Sequence, residues 1–153
     1  EDLGTIDEEV IRLRDHFNLP GMKVLAFAFF DKNSTHLPHN HDKNSAVYTT
    51  THDNMPLMGW FYRELGEEER KRVLDYLGYK PESISDALIR LAYSSVAKYC
   101  IVQVQDLLGL GEEARMNTPG RKEGNWEWRL LELPSEERSE FLLSLCELYG
   151  RSG

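Results

Sequence analysis

Several places in this 153-residue sequence gather side chains able to do acid–base or hydroxyl-binding chemistry. The chain opens on Glu1-Asp2, followed by Leu3-Gly4. Such a carboxylate can give a proton to a leaving group and take one back. In "THDN", His52 and Asp53 set a hydrogen-bond donor beside an acceptor, as neighbouring hydroxyls need; the alternative is that Asp53 only caps a following helix. His39 and Asn40 lie in "HLPHNHD", where three readings stand open: a zinc site, an exposed loop with incidental histidines, or a sugar-binding loop. Its His-x-x-His-x-His spacing lacks the i, i+4 geometry of a helical metal site. Gln105-Asp106 and the "RMNTPG" stretch with Asn117 add further polar groups.

The pattern between these residues says how they are to be positioned. Asp7 can cap a helix with Val10, Leu13 and Phe17 on one stripe, and "NLPG" stops it. "MKVLAFAFF" reads as a strand buried on both faces, "AVYTT" as a second, and "CIVQVQ" as a third. Pro56 to Gly78 reads as one or two helices broken near Gly66. "PESISDALIRLAYSSVAKY" is helical, with Ile84, Leu88, Leu91, Ala92 and Val96 on its apolar stripe. A long loop rich in Gly, Asn and Trp follows, and a last helix from about Ser135 to Tyr149 turns Leu142, Leu145, Cys146 and Tyr149 inward. Strands alternating with helices imply βα units and a parallel sheet. Each strand then ends in polar residues, and in a closed barrel those ends meet at one mouth together with Glu1 and Asp2. A complete (β/α)8 barrel takes about 250 residues, so three strands amount to less than half of one.

Composition narrows the classes. A 41% hydrophobic and 29% charged chain is that of an ordinary globular domain, and no apolar run reaches the length of a membrane span. The net charge of -8 repels nucleic acid. Cys100 and Cys146 lie in apolar segments without metal spacing, which favours buried free thiols in a reducing compartment over a disulfide.

Six stretches, "EDLG", "LPGMKVLAFAF", "LPHN", "NSAVYTTTHDN", "QDLLGLGEEARMNTPG" and "GNWEWR", occur in one order along nearly the whole chain. In these the sequence resembles the C-terminal part of the amylomaltase, or disproportionating-enzyme, family of 4-alpha-glucanotransferases (glycoside hydrolase family 77). The resemblance implies an α/β fold: residues 1–153 would be about three βα units of a (β/α)8 TIM barrel, with no separate second domain. It implies retaining transfer of alpha-1,4-glucan segments, no metal or organic cofactor, no nucleic-acid or membrane partner, and a cytoplasmic or plastid location. Carried over by motif, Glu1 is the general acid/base and Asp53 the carboxylate that stabilises the transition state. His52 and Asn117 bind the sugar, and His39, Asn40, Asp2 and Asn54 are further substrate-binding candidates. Trp60, Trp126 and Trp128 could lend faces to sugar rings, the alternative being simple core or packing aromatics. The family's nucleophile, an aspartate on an earlier strand, has no counterpart here, so the chain alone is expected to be inactive. Met55 also stands where the family commonly has a polar residue. Two other readings remain: a retaining alpha-glucan hydrolase of the alpha-amylase clan, and a non-catalytic glucan-binding fragment.

Overall fold

The structure of the chain, a computed structural model, describes residues 2–4 and 6–151. Its centre is a parallel sheet of three strands, β1 (Gly21–Val24), β2 (Ser45–Tyr48) and β3 (Tyr99–Ile101), side by side in chain order. Met22 lies beside Ala46 and Ala46 beside Tyr99; Val24, Tyr48 and Ile101 form the next row but one. Helix α1 (Glu8–His16) precedes the sheet. Between β2 and β3 run α2 (Leu57–Gly59), a π-turn (Trp60–Glu64), α3 (Glu67–Leu77) and α4 (Ile84–Tyr93). After β3 come α5 (Val104–Leu107) and α6 (Glu136–Leu148).

Side-chain caps set the helix starts. Asp7 accepts from the Glu9 and Val10 amides, Ser83 from Asp86, and Ser135 from Arg138. Helix α4 is the central packing element: Ile84, Leu88 and Ile89 are buried with Val24, Phe29, Leu57, Trp60, Val73 and Leu145. Helix α6 is tied to it by the Arg138–Asp86 ion pair, and Leu142, Cys146 and Tyr149 pack against the same core as the stripe predicts.

The structure corrects the sequence reading in four places. "MKVLAFAFF" is strand only to Val24 and then coils into a 3-10 helix over Leu25–Phe30. Leu25 and Ala28, and Ala26 and Phe29, are the buried pairs, the three-residue spacing of that helix. A continuous apolar run hides such a period. The third strand is shorter than "CIVQVQ" and half open, with Tyr99 47% and Ile101 41% exposed, because no strand among the described residues pairs with its far edge. Val10, Leu13 and Phe17 on α1 are exposed rather than packed inward, and α4 ends before Val96, which is also exposed. Both cysteines are free and half-buried, and burial pushes the Cys100 thiol up to about 12.

Two histidines from the loop between β1 and β2 hold that loop to the sheet. The Val24 amide donates to His36 Nδ1 at 3.1 Å. His41 Nε2 donates to the His36 carbonyl at 2.9 Å, and its Nδ1 accepts from the Ser95 hydroxyl at 2.6 Å. Both rings therefore work as neutral acceptors through Nδ1. Burial pushes both imidazoles below the usual histidine range, with the Lys23 charge adding to it. A depressed histidine leaves the unfolded chain binding more protons as pH falls. Stability is thus fully present above about pH 6.5, the ordinary histidine value, and declines below it. Thermal unfolding between pH 8 and 5 should show this decline, and the His41→Gln variant should show a flatter profile.

The turn after β2 is fixed by one buried carboxylate. Asp106 is 0% exposed; its Oδ2 accepts from the Thr49 and Thr50 hydroxyls, and its Oδ1 from the Leu57 amide at 2.7 Å. Its own carbonyl accepts from the Ser85 hydroxyl. The end of β2, the start of α2, the first turn of α4 and α5 thus share one residue. Burial pushes the Asp106 carboxyl up, and the three donors pull it back only in part. Asp106→Ala strands those donors and should cost about 3 kcal/mol or more in urea denaturation, with Asp106→Asn, which keeps one acceptor oxygen, in between.

Candidate functional site

His52 and Asp53 lie just past the carboxyl end of β2, in a turn closed from several sides. Asn54 Oδ1 accepts from the Thr51 amide at 2.9 Å and the Thr51 hydroxyl at 2.8 Å, and the Asn54 amide donates to the Thr51 carbonyl at 3.0 Å. Gln103 Nε2 donates to the Thr51 carbonyl at 2.9 Å and also to the Thr50 hydroxyl. Upstream, Thr49 and Thr50 are held by Asp106; downstream, Pro56 leads into α2. The turn presents His52 Nε2 3.3 Å from Asp53 Oδ1, with the two side chains 49% and 44% exposed.

A second segment, far along the chain, closes on this pair. A 3-10 turn at Glu112–Ala114 anchors it through the fully buried Ala114. From there Arg115 donates through Nη2 to the Asp53 carbonyl at 2.8 Å and through Nε to the Asn117 carbonyl at 2.9 Å. The Asn117 amide donates to the His52 carbonyl at 3.0 Å, and Asn117 Nδ2 to Asp53 Oδ1. Residues 116–126 then double back: Thr118 N donates to Asn125 Oδ1 at 2.9 Å, and Trp126 N to the Met116 carbonyl at 2.7 Å. Trp126 has a left-handed backbone, φ 65°, and its ring lies 5.2 Å from that of His52, with an angle of 35° between the planes. Carboxylate, imidazole, carboxamide and indole face meet at one half-open surface. Asp53 Oδ2 has no partner among the described residues, so the cluster offers an acceptor, switchable ring nitrogens and an apolar face for hydroxyl-bearing rings.

The other predicted site residues are placed elsewhere. His39 Nδ1 lies 2.9 Å from the Tyr76 hydroxyl, and its ring stacks on Tyr76 of α3 at 5.7 Å. Asn40 donates to the Ser34 carbonyl at 3.0 Å. These two hold the β1–β2 loop and make no hydrogen bond to the His52 cluster. Asp2 takes the Met22 amide at 2.7 Å and Arg14 Nη1 at 2.7 Å. Burial raises its carboxyl, but the Arg14 guanidinium and the Met22 amide outweigh this, and the net shift is downward. Met22 sits beside Ala46 near the amino end of the sheet, whereas His52 and Asp53 follow its carboxyl end. Asn54 supports the turn through its carboxamide oxygen, and Glu1 lies outside the described residues.

Elsewhere the structure decides between alternatives that the sequence left open. The zinc alternative for "HLPHNHD" fails in the geometry: His36, His39 and His41 each engage different partners, and no metal-holding group of His, Cys, Asp or Glu occurs among the described residues. Trp60 is a core residue at 2% exposure, not a sugar platform, and Trp128 lines an apolar cavity of about 610 Å³ with Leu108, Leu110 and Leu130. Asp106 does not face a pocket but lies wholly inside. The sequence reading also passed over Arg115; its place two residues before Asn117 in "RMNTPG" was the one available sign.

Comparison with known proteins bears on what this surface is. The 4-alpha-glucanotransferase family profile matches residues 1–134. The chain is 53% identical to the 4-alpha-glucanotransferase of Aquifex aeolicus, over 99% of this chain and 31% of that protein. With the chloroplastic/amyloplastic 4-alpha-glucanotransferase of Solanum tuberosum it shares 46% identity, over 99% of this chain and 27% of the relative. The amylomaltase of Streptococcus agalactiae, solved in complex with acarbose, superposes with a TM-score of 0.94 at 37% identity, covering 100% of this chain and 32% of that one. The chain therefore spans about a third of the length of these relatives. Among the described residues no helix is long and apolar enough to cross a membrane. By the profile match over most of its length and the near-complete superposition, the chain belongs to the 4-alpha-glucanotransferase family.

Proposed function

We propose that this chain forms the carboxyl-terminal part of the catalytic (β/α)8 barrel of a retaining 4-alpha-glucanotransferase, which moves alpha-1,4-glucan segments to glucose or glucan acceptors. The observation that carries this reading is the convergence of His52, Asp53, Asn117 and Trp126 beyond the carboxyl end of β2. That is the side on which barrel enzymes place their chemistry. The open outer edge of β3 and its exposed Tyr99 and Ile101 suit strands that continue into a larger closed sheet.

In this mechanism a carboxylic acid protonates the glycosidic oxygen while a nucleophile about 5 Å away forms the glycosyl intermediate. Glu1 takes the acid/base role, and the nucleophile comes from outside this sequence. Asp53 turns Oδ2 to ring hydroxyls as an acceptor, so that its carboxylate opposes the positive charge developing on the sugar. His52 and Asn117 hold Asp53 and complete the hydroxyl contacts, and Trp126 sets an apolar face beside His52 for a sugar ring. Asn54 belongs to the scaffold of the site, whereas Asp2, His39 and Asn40 hold segments away from it. The substrates are alpha-1,4-glucans, and the compartment is the cytoplasm or, as the names of the plant relatives have it, a plastid.

The test uses the protein expressed from its complete reading frame. Incubated with maltotriose, it should give a ladder of longer glucans; glucose and maltose alone would replace this reading with a hydrolase, and no turnover would remove both. Asp53→Asn should lower the transfer rate by about 10²–10³-fold while the protein still unfolds cooperatively near the wild-type temperature.

A further inference from the structure

We infer that Arg115 is a positioning residue that sets the Asp53 carboxylate in register with His52 and Asn117, without itself touching the glucan. The inference rests on the proposed transfer reaction and goes beyond it. Two of its nitrogens are hydrogen-bonded to backbone carbonyls, Nε to Asn117 at 2.9 Å and Nη2 to Asp53 at 2.8 Å, while Nη1 faces the Glu64 carboxylate at 3.7 Å as an ion pair. The side chain is 22% exposed. It therefore joins three segments distant in sequence: the turn after β2, the loop after α5, and the last residue of the π-turn, whose neighbour Leu65 is buried in the core. The grip is on backbone carbonyls. Asn117 in turn carries Asp53 Oδ1 on its carboxamide and the His52 carbonyl on its amide. A shift of Arg115 thus moves acceptor, ring and carboxamide together.

The planar fork explains the residue type. A guanidinium aims several N–H groups in fixed directions, whereas a lysine ammonium is one point charge on a flexible stem and cannot reproduce the fork that holds both carbonyls. With Nε and Nη2 turned to backbone carbonyls, Nη1 towards Glu64 and the side chain largely buried, Arg115 is directed at protein. Its loss should consequently appear in the rate of the bound complex more than in substrate affinity. Displacements of about 1 Å at reacting groups cost about 10²-fold.

The experiment measures kcat and KM for maltotriose transfer in the complete protein carrying Arg115→Lys or Arg115→Ala. We expect kcat to fall about 10²-fold with KM changed by less than about threefold. Added guanidinium at non-denaturing concentration should restore much of the Arg115→Ala rate and leave the wild type unaffected, whereas ethylammonium should not; a loss of folded protein would not respond in this way. Unchanged kcat, a loss carried by KM, or no guanidinium rescue overturns the inference. If the wild type makes no glucan ladder, the functional reading falls separately, and the crystal structure of Arg115→Lys decides: separation of Asp53 from Asn117 upholds the positioning role, an unchanged contact overturns it. Should neither Arg115 variant fold, Arg115→Gln, which keeps an amide donor on a shorter stem, takes their place, and an unchanged kcat in that variant overturns the inference.

Discussion

A carboxylate with no access to water, Asp106, is the point on which the rest of this structure depends. Its three donors come from the end of β2 and the start of α2, and its own carbonyl takes a hydroxyl from α4. Burying such a group is costly unless its oxygens are satisfied. Here the cost enforces order, because only one arrangement of Thr49, Thr50 and Leu57 supplies all the donors. The turn holding His52 and Asp53 lies between those anchors and inherits their rigidity.

The candidate site is assembled chiefly through the backbone. Arg115 grips the carbonyls of Asp53 and Asn117, the Asn117 amide grips the carbonyl of His52, and Trp126 is drawn in by its amide bond to Met116. Backbone grips thus place His52 and Asp53, whose side chains contact each other and Asn117 through only one of the two Asp53 oxygens. Asp53 Oδ2 is the clearest outcome of that economy. The carboxamide of Asn54 and the guanidinium of Arg115 are the reverse case, polar groups near the site that are engaged by the protein itself.

Much of the scaffold could be read directly. The caps at Asp7, Ser83 and Ser135 act locally, so type and position suffice to find them. The alternation of strand and helix fixed the parallel sheet, and the stripe on α4 foretold its place in the core. The misses have two causes. "LAFAFF" is apolar at every position, so its sequence does not distinguish a strand from the 3-10 helix that it becomes. Ile101 of "CIVQVQ" and the α1 stripe are exposed among the described residues, because an apolar pattern does not say what, if anything, packs on it.

What the sequence by itself determined is the set of local elements and the motifs whose order places the chain in its family, because caps, periodicity and spacing are properties of neighbours. What only the tertiary structure decided is which polar residues face outward and which hold the frame. Asp53 and Asp106 are both aspartates near strand ends, yet one is half-exposed and the other wholly enclosed. His52 and His39 are both loop histidines, yet one meets Asp53 and the other stacks on Tyr76. Such differences arise from contacts between segments some 50–60 positions apart, whose donors and acceptors become neighbours only when the chain has folded.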